Sequence, residues 1–130
     1  MSRTTILLTI EHVLAVHSRM IEHFGGDPGI RDEGLLASAV AMPAARFGGK
    51  WLHGGIAPQA AAYLFHLCKN HAFVDGNKQT ALAAAEVFVR LNARKLAASD
   101  EQLEQLTIGV ADGTISKAET IKFFRAHVGK

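Results

Sequence analysis

A chain of 130 residues that is 48% hydrophobic is long enough to bury one sizeable core and too short for a second domain, so residues 1–130 are read as a single unit. Its formal net charge of +2 comes from scattered cations, with Arg90, Arg94 and Lys95 the nearest to a cluster, which excludes the dense basic stripe of a nucleic-acid binder. About 18 uninterrupted apolar residues occur nowhere, the run Ile6 to Ile10 is too short for a signal peptide, and the only cysteine, Cys68, allows no internal disulfide, so a soluble protein of the reducing cytoplasm with no membrane partner is expected.

From a cap at Thr9, the positions Ile10, Val13, Leu14, His17, Ile21 and Phe24 recur at helical spacing and stop at Gly25 and Gly26, which predicts a first helix. His17 lies on its apolar stripe, either as a core histidine satisfied by a backbone carbonyl or as a residue supporting a nearby site. After the turn Gly25 to Gly29, Asp32 caps a second helix from Glu33 to about Val40, ended by Pro43. Arg46 to Ile56 (RFGGKWLHGGI) is the least regular stretch. Its two Gly-Gly pairs around Lys50, Trp51 and His53 indicate a mobile exposed loop or a short hairpin, with Trp51 either displayed or folded back onto the core.

Pro58 is expected to open a third helix, and Ala57 to Cys68 (APQAAAYLFHLC) is apolar nearly all round. A fourth helix from about Lys78 to Asn92 breaks its apolar run only with Glu86 and Arg90. Helices of this composition sit inside a domain. Glu86 is read as a residue on a narrow exposed edge, the other reading being a buried partner for an arginine. Ser99 with Gln102 and Ser116 with Glu119 have capping-box spacing and open a fifth and a sixth helix, separated by Gly113. Leu103, Leu106 and Val110 should face the core from the fifth, and Ala118, Ile121, Phe124 and Val128 from the sixth. The fold class is all-α, a bundle of about six helices, with no sheet beyond a short hairpin at residues 46–56.

Between the third and fourth helices lies HAFVDGNKQTAL, His71 to Leu82, the one place where polar chemistry is forced between two apolar helices. A short constrained loop there is where a reactive site is expected. Asp75, Gly76 and Asn77 have turn and cap chemistry, so the free N–H groups and positive dipole end of the next helix face the loop and favour an anion. Lys78 adds a point charge for phosphate oxygens and the Asn77 amide a hydrogen bond. Asp75 is a hard oxygen ligand of the kind that holds magnesium beside nucleotide phosphates, and His71 is of the residue type most often used as a general base. Phe73 is read as the buried peg of the loop. Each residue taken alone also fits a plain cap, a dipole-facing histidine or a solvated lysine; their coincidence in eight positions points to a site.

The string HAFVDGNK resembles the Fic/Doc (Fido) motif, HxFx(D/E)GN(G/K)R, with lysine at the position where Doc (death-on-curing) toxins also carry it. The likeness extends to the chain length, the helix order and the segment GGDPGIRD, Gly25 to Asp32. It implies an all-α bundle with His71 as the base toward a target hydroxyl, Asp75 as the Mg2+ ligand, Gly76, Asn77, Lys78 and Gln79 around the phosphates, and Lys50, Trp51 and His53 in a flap that aligns the target. It further implies ATP as cofactor and transfer of its terminal phosphate to a threonine or serine of a translation factor, elongation factor Tu in the family, with AMP transfer by the same residues as the alternative. Gln79 departs from the motif's arginine, and the loss of a charge-assisted hydrogen bond, about 1.5–3 kcal/mol, keeps a non-enzymatic binding module as a third reading. The inhibitory S/TxxxE(G/N) pattern of self-restrained members is absent from the sequence. Restraint is therefore expected from a second chain, an antitoxin whose C-terminal segment fills a groove beside the site.

Overall fold

Four helices begin where the sequence supplies a side-chain oxygen for a first-turn amide: Thr9, Asp32, Ser99 and Ser116 accept from His12, Leu35, Gln102 and Glu119 respectively. Such caps are each worth about 1 kcal/mol. The computed structural model describes residues 4–130. Among them the order is α1 (Ile10–Phe24), α2 (Glu33–Ala41), a 3-10 turn (Met42–Ala44), β1 (Arg46–Phe47), β2 (Lys50–Trp51), α3 (Ile56–Asn70), α4 (Asn77–Leu91), β3 (Lys95–Leu96), α5 (Asp100–Asp112), α6 (Lys117–His127) and β4 (Val128–Gly129). The chain is an all-α bundle with two small two-stranded pairings.

Helix α3 is the axis, packed against α2, α4, α5 and α6. Its Ala60, Ala61 and Ala62 and the Ala81, Ala84 and Ala85 of α4 are fully buried, and side chains this small let the two helices approach closely. Tyr63 and Phe88 fill the remaining space with ring centroids 5.0 Å apart. The Tyr63 hydroxyl lies in this core because it has a partner: it accepts from the Leu8 amide at 2.7 Å and so ties the segment before α1 to α3. Burial pushes its pKa up to about 12. Phe88, Phe124, Leu64 and Val110 are fully enclosed, and each such side chain contributes about 1.5–3 kcal/mol.

The structure departs from expectation at several points. Helix α3 starts at Ile56, two residues before Pro58, with Gly55 as its cap; Pro58 still falls in the first turn, where its missing N–H has no helical acceptor. Phe24, expected inward, is 62% exposed, because α1 ends there and the chain turns away at Gly25, whose φ is 83°. On α6 Phe124 is buried and Ile121 packs against the core as expected, joined by the buried Thr120, while Ala118 is exposed. Thr120 is tolerated inside because its hydroxyl donates to the Ser116 carbonyl at 2.8 Å. Val128 leaves the helix and pairs with Leu96, so β3 and β4 form a second pairing that the sequence reading lacked.

The stretch 46–51 is a hairpin, with Arg46 opposite Trp51 and Phe47 opposite Lys50. Trp51 does not fold onto the core. It is 41% exposed, and the Arg46 guanidinium covers its ring at 4.1 Å.

Candidate functional site

The loop His71–Gly76 leaves α3 through a residue that helices seldom end on. His71 has φ 51° and ψ 49°, a left-handed conformation that costs a side-chain-bearing residue about 1–2 kcal/mol. Five residues later Gly76, φ 81°, caps α4 without any side-chain hydrogen bond, so neither Asp75 nor Asn77 serves as the cap that their residue types suggested. The absence of Cβ at Gly76 is required twice. Its φ is left-handed, and an added Cβ would lie 3.2 Å from Ile21 Cδ1 and 3.5 Å from the His17 ring.

Gly25–Asp32 lies alongside this loop and holds it residue by residue. The Arg31 and Asp32 amides both donate to the Ala72 carbonyl, at 2.7 and 3.0 Å, and the Val74 amide donates to the Gly29 carbonyl at 3.0 Å. Ile30 and Phe73 face each other between these bonds as an antiparallel bridge. Phe73 is the non-hydrogen-bonded member, so its own N–H and C=O point away from Ile30. Asn77 takes both: its Oδ1 accepts from Phe73 N at 3.0 Å and its Nδ2 donates to Phe73 O at 2.9 Å. The buried Asn77 amide is thus committed to the loop, and what Asn77 has left for an anion is its backbone N–H.

Asp75 is gripped from two sides. Its Oδ2 accepts from the Asp27 amide at 2.8 Å, and its carbonyl accepts from His17 Nε2 at 2.8 Å. A carbonyl only accepts, so His17 carries its proton on Nε2. The His17 ring is 3% exposed and stacks on Phe73 with centroids 3.7 Å apart and planes 8° apart. Both readings of His17 therefore merge: it is a core histidine satisfied by a carbonyl, and that carbonyl belongs to the loop. Gly26 passes so close that a Cβ there would sit 2.9 Å from Asp75 Cβ.

These restraints leave one face of the loop open. His71, Asp75, Gly76, Asn77, Lys78 and Gln79 line one cavity of about 470 Å³, backed by Cys68, a size common for ligand sites. The first intrahelical bond of α4 is Thr80 N to Gly76 O, 2.9 Å. The amides of Asn77, Lys78 and Gln79 precede it, and three such N–H groups at a positive dipole end form an anion seat. Cys68 is buried, and burial pushes its thiol pKa up, so it is a packing residue rather than a nucleophile. Among the described residues no three His, Cys, Asp or Glu side chains cluster as a metal cage. With Asp75 Oδ2 already engaged, one carboxylate oxygen remains for a cation. That suits Mg2+ shared with phosphate oxygens and does not suit a metal held by protein alone.

The flap residues are separated by the fold. Lys50 and Trp51 stand on the exposed hairpin, whereas His53 is 3% exposed and its buried Nδ1 has no hydrogen-bond partner among the described residues. It is buried after the hairpin instead of lying along its open face. Burial first, then Lys117, holds its pKa below the usual histidine value. Glu86, read as an edge residue, is half-buried. It lines a groove between α4 and α5 with Phe24, Lys78, Gln79, Leu82 and Ile108, and desolvation raises its pKa against the opposing effect of Arg90.

Arg31 and Asp27 are the site-forming residues that sequence reasoning left unassigned to the site, whereas His17 had a supporting role as one of its two readings. The signal for Arg31 and Asp27 was the segment GGDPGIRD itself, whose turn chemistry has no use unless it is fitted to a second segment.

No helix among the described residues is long and apolar enough to cross a membrane. The sequence profile of the Fic/DOC family matches residues 7–89, which contain α1, the Gly25–Asp32 segment, the hairpin and the loop. The chain is similar to the protein kinase doc of Escherichia phage P1, with 33% identity over 119 residues that cover 92% of this chain and 93% of that protein. It is also similar to the toxin Doc of Mycolicibacterium smegmatis, 49% identical over 75 residues, 58% of each chain. A family match across most of the bundle, and a relative aligned along nearly its whole length, leave one assignment: the chain belongs to the Fic/Doc family.

Proposed function

We propose that the protein is a Doc-type toxin that transfers the terminal phosphate of ATP to a threonine or serine hydroxyl of a translation factor, elongation factor Tu being the target that the family resemblance implies. The observation that carries this reading is the single cavity shared by His71, Asp75 and the first turn of α4 with Lys78. An imidazole, a carboxylate and an anion seat there face one volume. The likeness to a phage protein named as a kinase supports phosphoryl transfer, and the likeness to a protein named as a toxin supports the biological role.

In this reading the α4 amides, the Lys78 ammonium and the Gln79 amide hold phosphate oxygens. His71 accepts the proton of the target hydroxyl as its oxygen bonds to phosphorus, and ADP leaves with the electron pair of the broken P–O bond. Asp75 would hold Mg2+, which when bound neutralises phosphate charge. Catalysis of this kind is mostly positioning and charge neutralisation, and that is what the doubly gripped Asp75 provides. The Arg46–Trp51 hairpin would align the target segment. The α4–α5 groove, with exposed Phe24 and Ile108, would seat the C-terminal segment of an antitoxin.

ATP labelled at the γ-phosphate and, in parallel, at the α-phosphate, incubated with elongation factor Tu and Mg2+, tests the reaction. Label from γ alone is the expected result, and it should vanish in His71→Ala, which removes no core volume. Label from α would replace the reading with AMP transfer. Label from neither, at full nucleotide binding, would leave the binding module.

A further inference from the structure

We propose that Arg31 is a positioning residue for His71, a role that rests on His71 being the base. Helix α3 ends on three successive carbonyls, and Arg31 meets all of them. Its Nε donates to His71 O at 2.7 Å and its Nη2 to Asn70 O at 3.3 Å, while its backbone amide donates to Ala72 O at 2.7 Å. A guanidinium at the negative end of a helix is favoured by the dipole, but a cap alone needs no such fork. The fork's planarity sets the orientation of the peptide plane that follows His71.

That restraint is needed because His71 is left-handed, at φ 51°, where glycine is the usual occupant. A histidine left to itself would relax toward right-handed or extended backbone. Relaxation would swing the imidazole away from Asp75 and the α4 amides, which Asp27, His17 and Asn77 hold independently. Arg31 thus fixes the base relative to the phosphate seat without touching the imidazole. Arg31 is exposed, so replacing it opens no hole in the core.

The test uses the full chain with Arg31→Ala and Arg31→Lys, and two readouts. Backbone NMR of His71, through its amide–Hα coupling and Cα shift, reports the left-handed conformation with no nucleotide present. Arg31→Ala should lose that signature. Arg31→Lys, which keeps one donor and the charge, should retain part of it. In the transfer assay Arg31→Ala should lower kcat by about tenfold or more with KM for ATP and the unfolding midpoint nearly unchanged, and Arg31→Lys should recover part of the loss. An unaltered His71 signature in Arg31→Ala overturns the proposal, as does a kcat loss matched by equal loss in the two variants. If the unaltered protein transfers nothing, the proposed reaction fails, and the NMR result alone still decides whether Arg31 holds His71.

Discussion

Asn77 offers the sharpest test of how the loop is held, because residue type suggests a phosphate donor and geometry gives it a different task. Asn77→Ala removes both hydrogen bonds to Phe73 at a position only 6% exposed. The freed N–H and C=O cannot turn to Gly29 or Arg31, whose bonds go to Val74 and Ala72. Each unpaired buried group costs about 1–3 kcal/mol, and water admitted by the smaller side chain recovers some of that, so the expected loss is about 2–4 kcal/mol. At a urea slope of about 1–3 kcal/mol per molar for a small domain, the unfolding midpoint should fall by about 1–2 M. Asn77→Asp keeps an acceptor for the Phe73 amide but sets a carboxylate against the Phe73 carbonyl, so it should destabilise too, through one bond rather than two. Urea titrations of the three proteins without nucleotide give the answer. A loss below about 1 kcal/mol for Asn77→Ala would refute the commitment of this amide to the loop and return it to the phosphates.

Four further outcomes are expected. Gly26→Ala, with its Cβ forced to 2.9 Å from that of Asp75 and a φ of 116°, should displace the carboxylate and weaken Mg2+-dependent nucleotide binding in calorimetry far more than binding without the metal. Tyr63→Phe leaves the Leu8 amide without its 2.7 Å partner and should cost about 1–2 kcal/mol, read as a lowered urea midpoint. His66 has a pKa lowered to about 4 by burial, then by Lys117 and His53, so between pH 6.5 and 4 the unfolded chain binds the additional proton. Stability is full above 6.5 and falls with pH through that window, by about 1–2 kcal/mol once partial exposure is discounted, and His66→Gln should flatten this part of a pH–urea profile. Gln79→Arg restores a charge-assisted bond of about 1.5–3 kcal/mol and should tighten ATP binding by about tenfold or more; unchanged affinity would take position 79 off the phosphate path.

The bundle was legible because its signals are local. Caps at Thr9, Asp32, Ser99 and Ser116 and the stop at Gly113, φ 84°, each depend on residues within one turn. Leu103, Leu106 and Val110 are buried as their spacing required. The loop was legible as a concentration of polar residues, and Phe73 is its buried peg at 1% exposure. What stayed hidden depends on pairing across the chain. The Asp27–Asp75 bond joins residues 48 positions apart and the His17–Asp75 bond residues 58 apart; neither leaves a periodicity. His53 sits beside Trp51 in sequence, yet the hairpin exposes one and buries the other. Residue type also misled at Asn77 and Asp75, since a glycine at positive φ made a side-chain cap unnecessary.

Gln79 stands where these separate constructions meet. It lines the cavity with His71 and Lys78, the α4–α5 groove with Glu86 and Ile108, and the recess formed by Gly25, Gly26 and Asp75. A guanidinium at such a junction would carry its charge into all three. The neutral amide keeps an N–H donor for the cavity, but it leaves Lys78 as the side-chain cation of the first turn, and Lys78 also lines the groove. Under the proposed function, a segment lying in that groove would compete with phosphate for the same ammonium. Under that function, charge at the start of α4 would be shared between the reaction and its restraint, and glutamine in place of the motif's arginine would shift that sharing onto a single lysine.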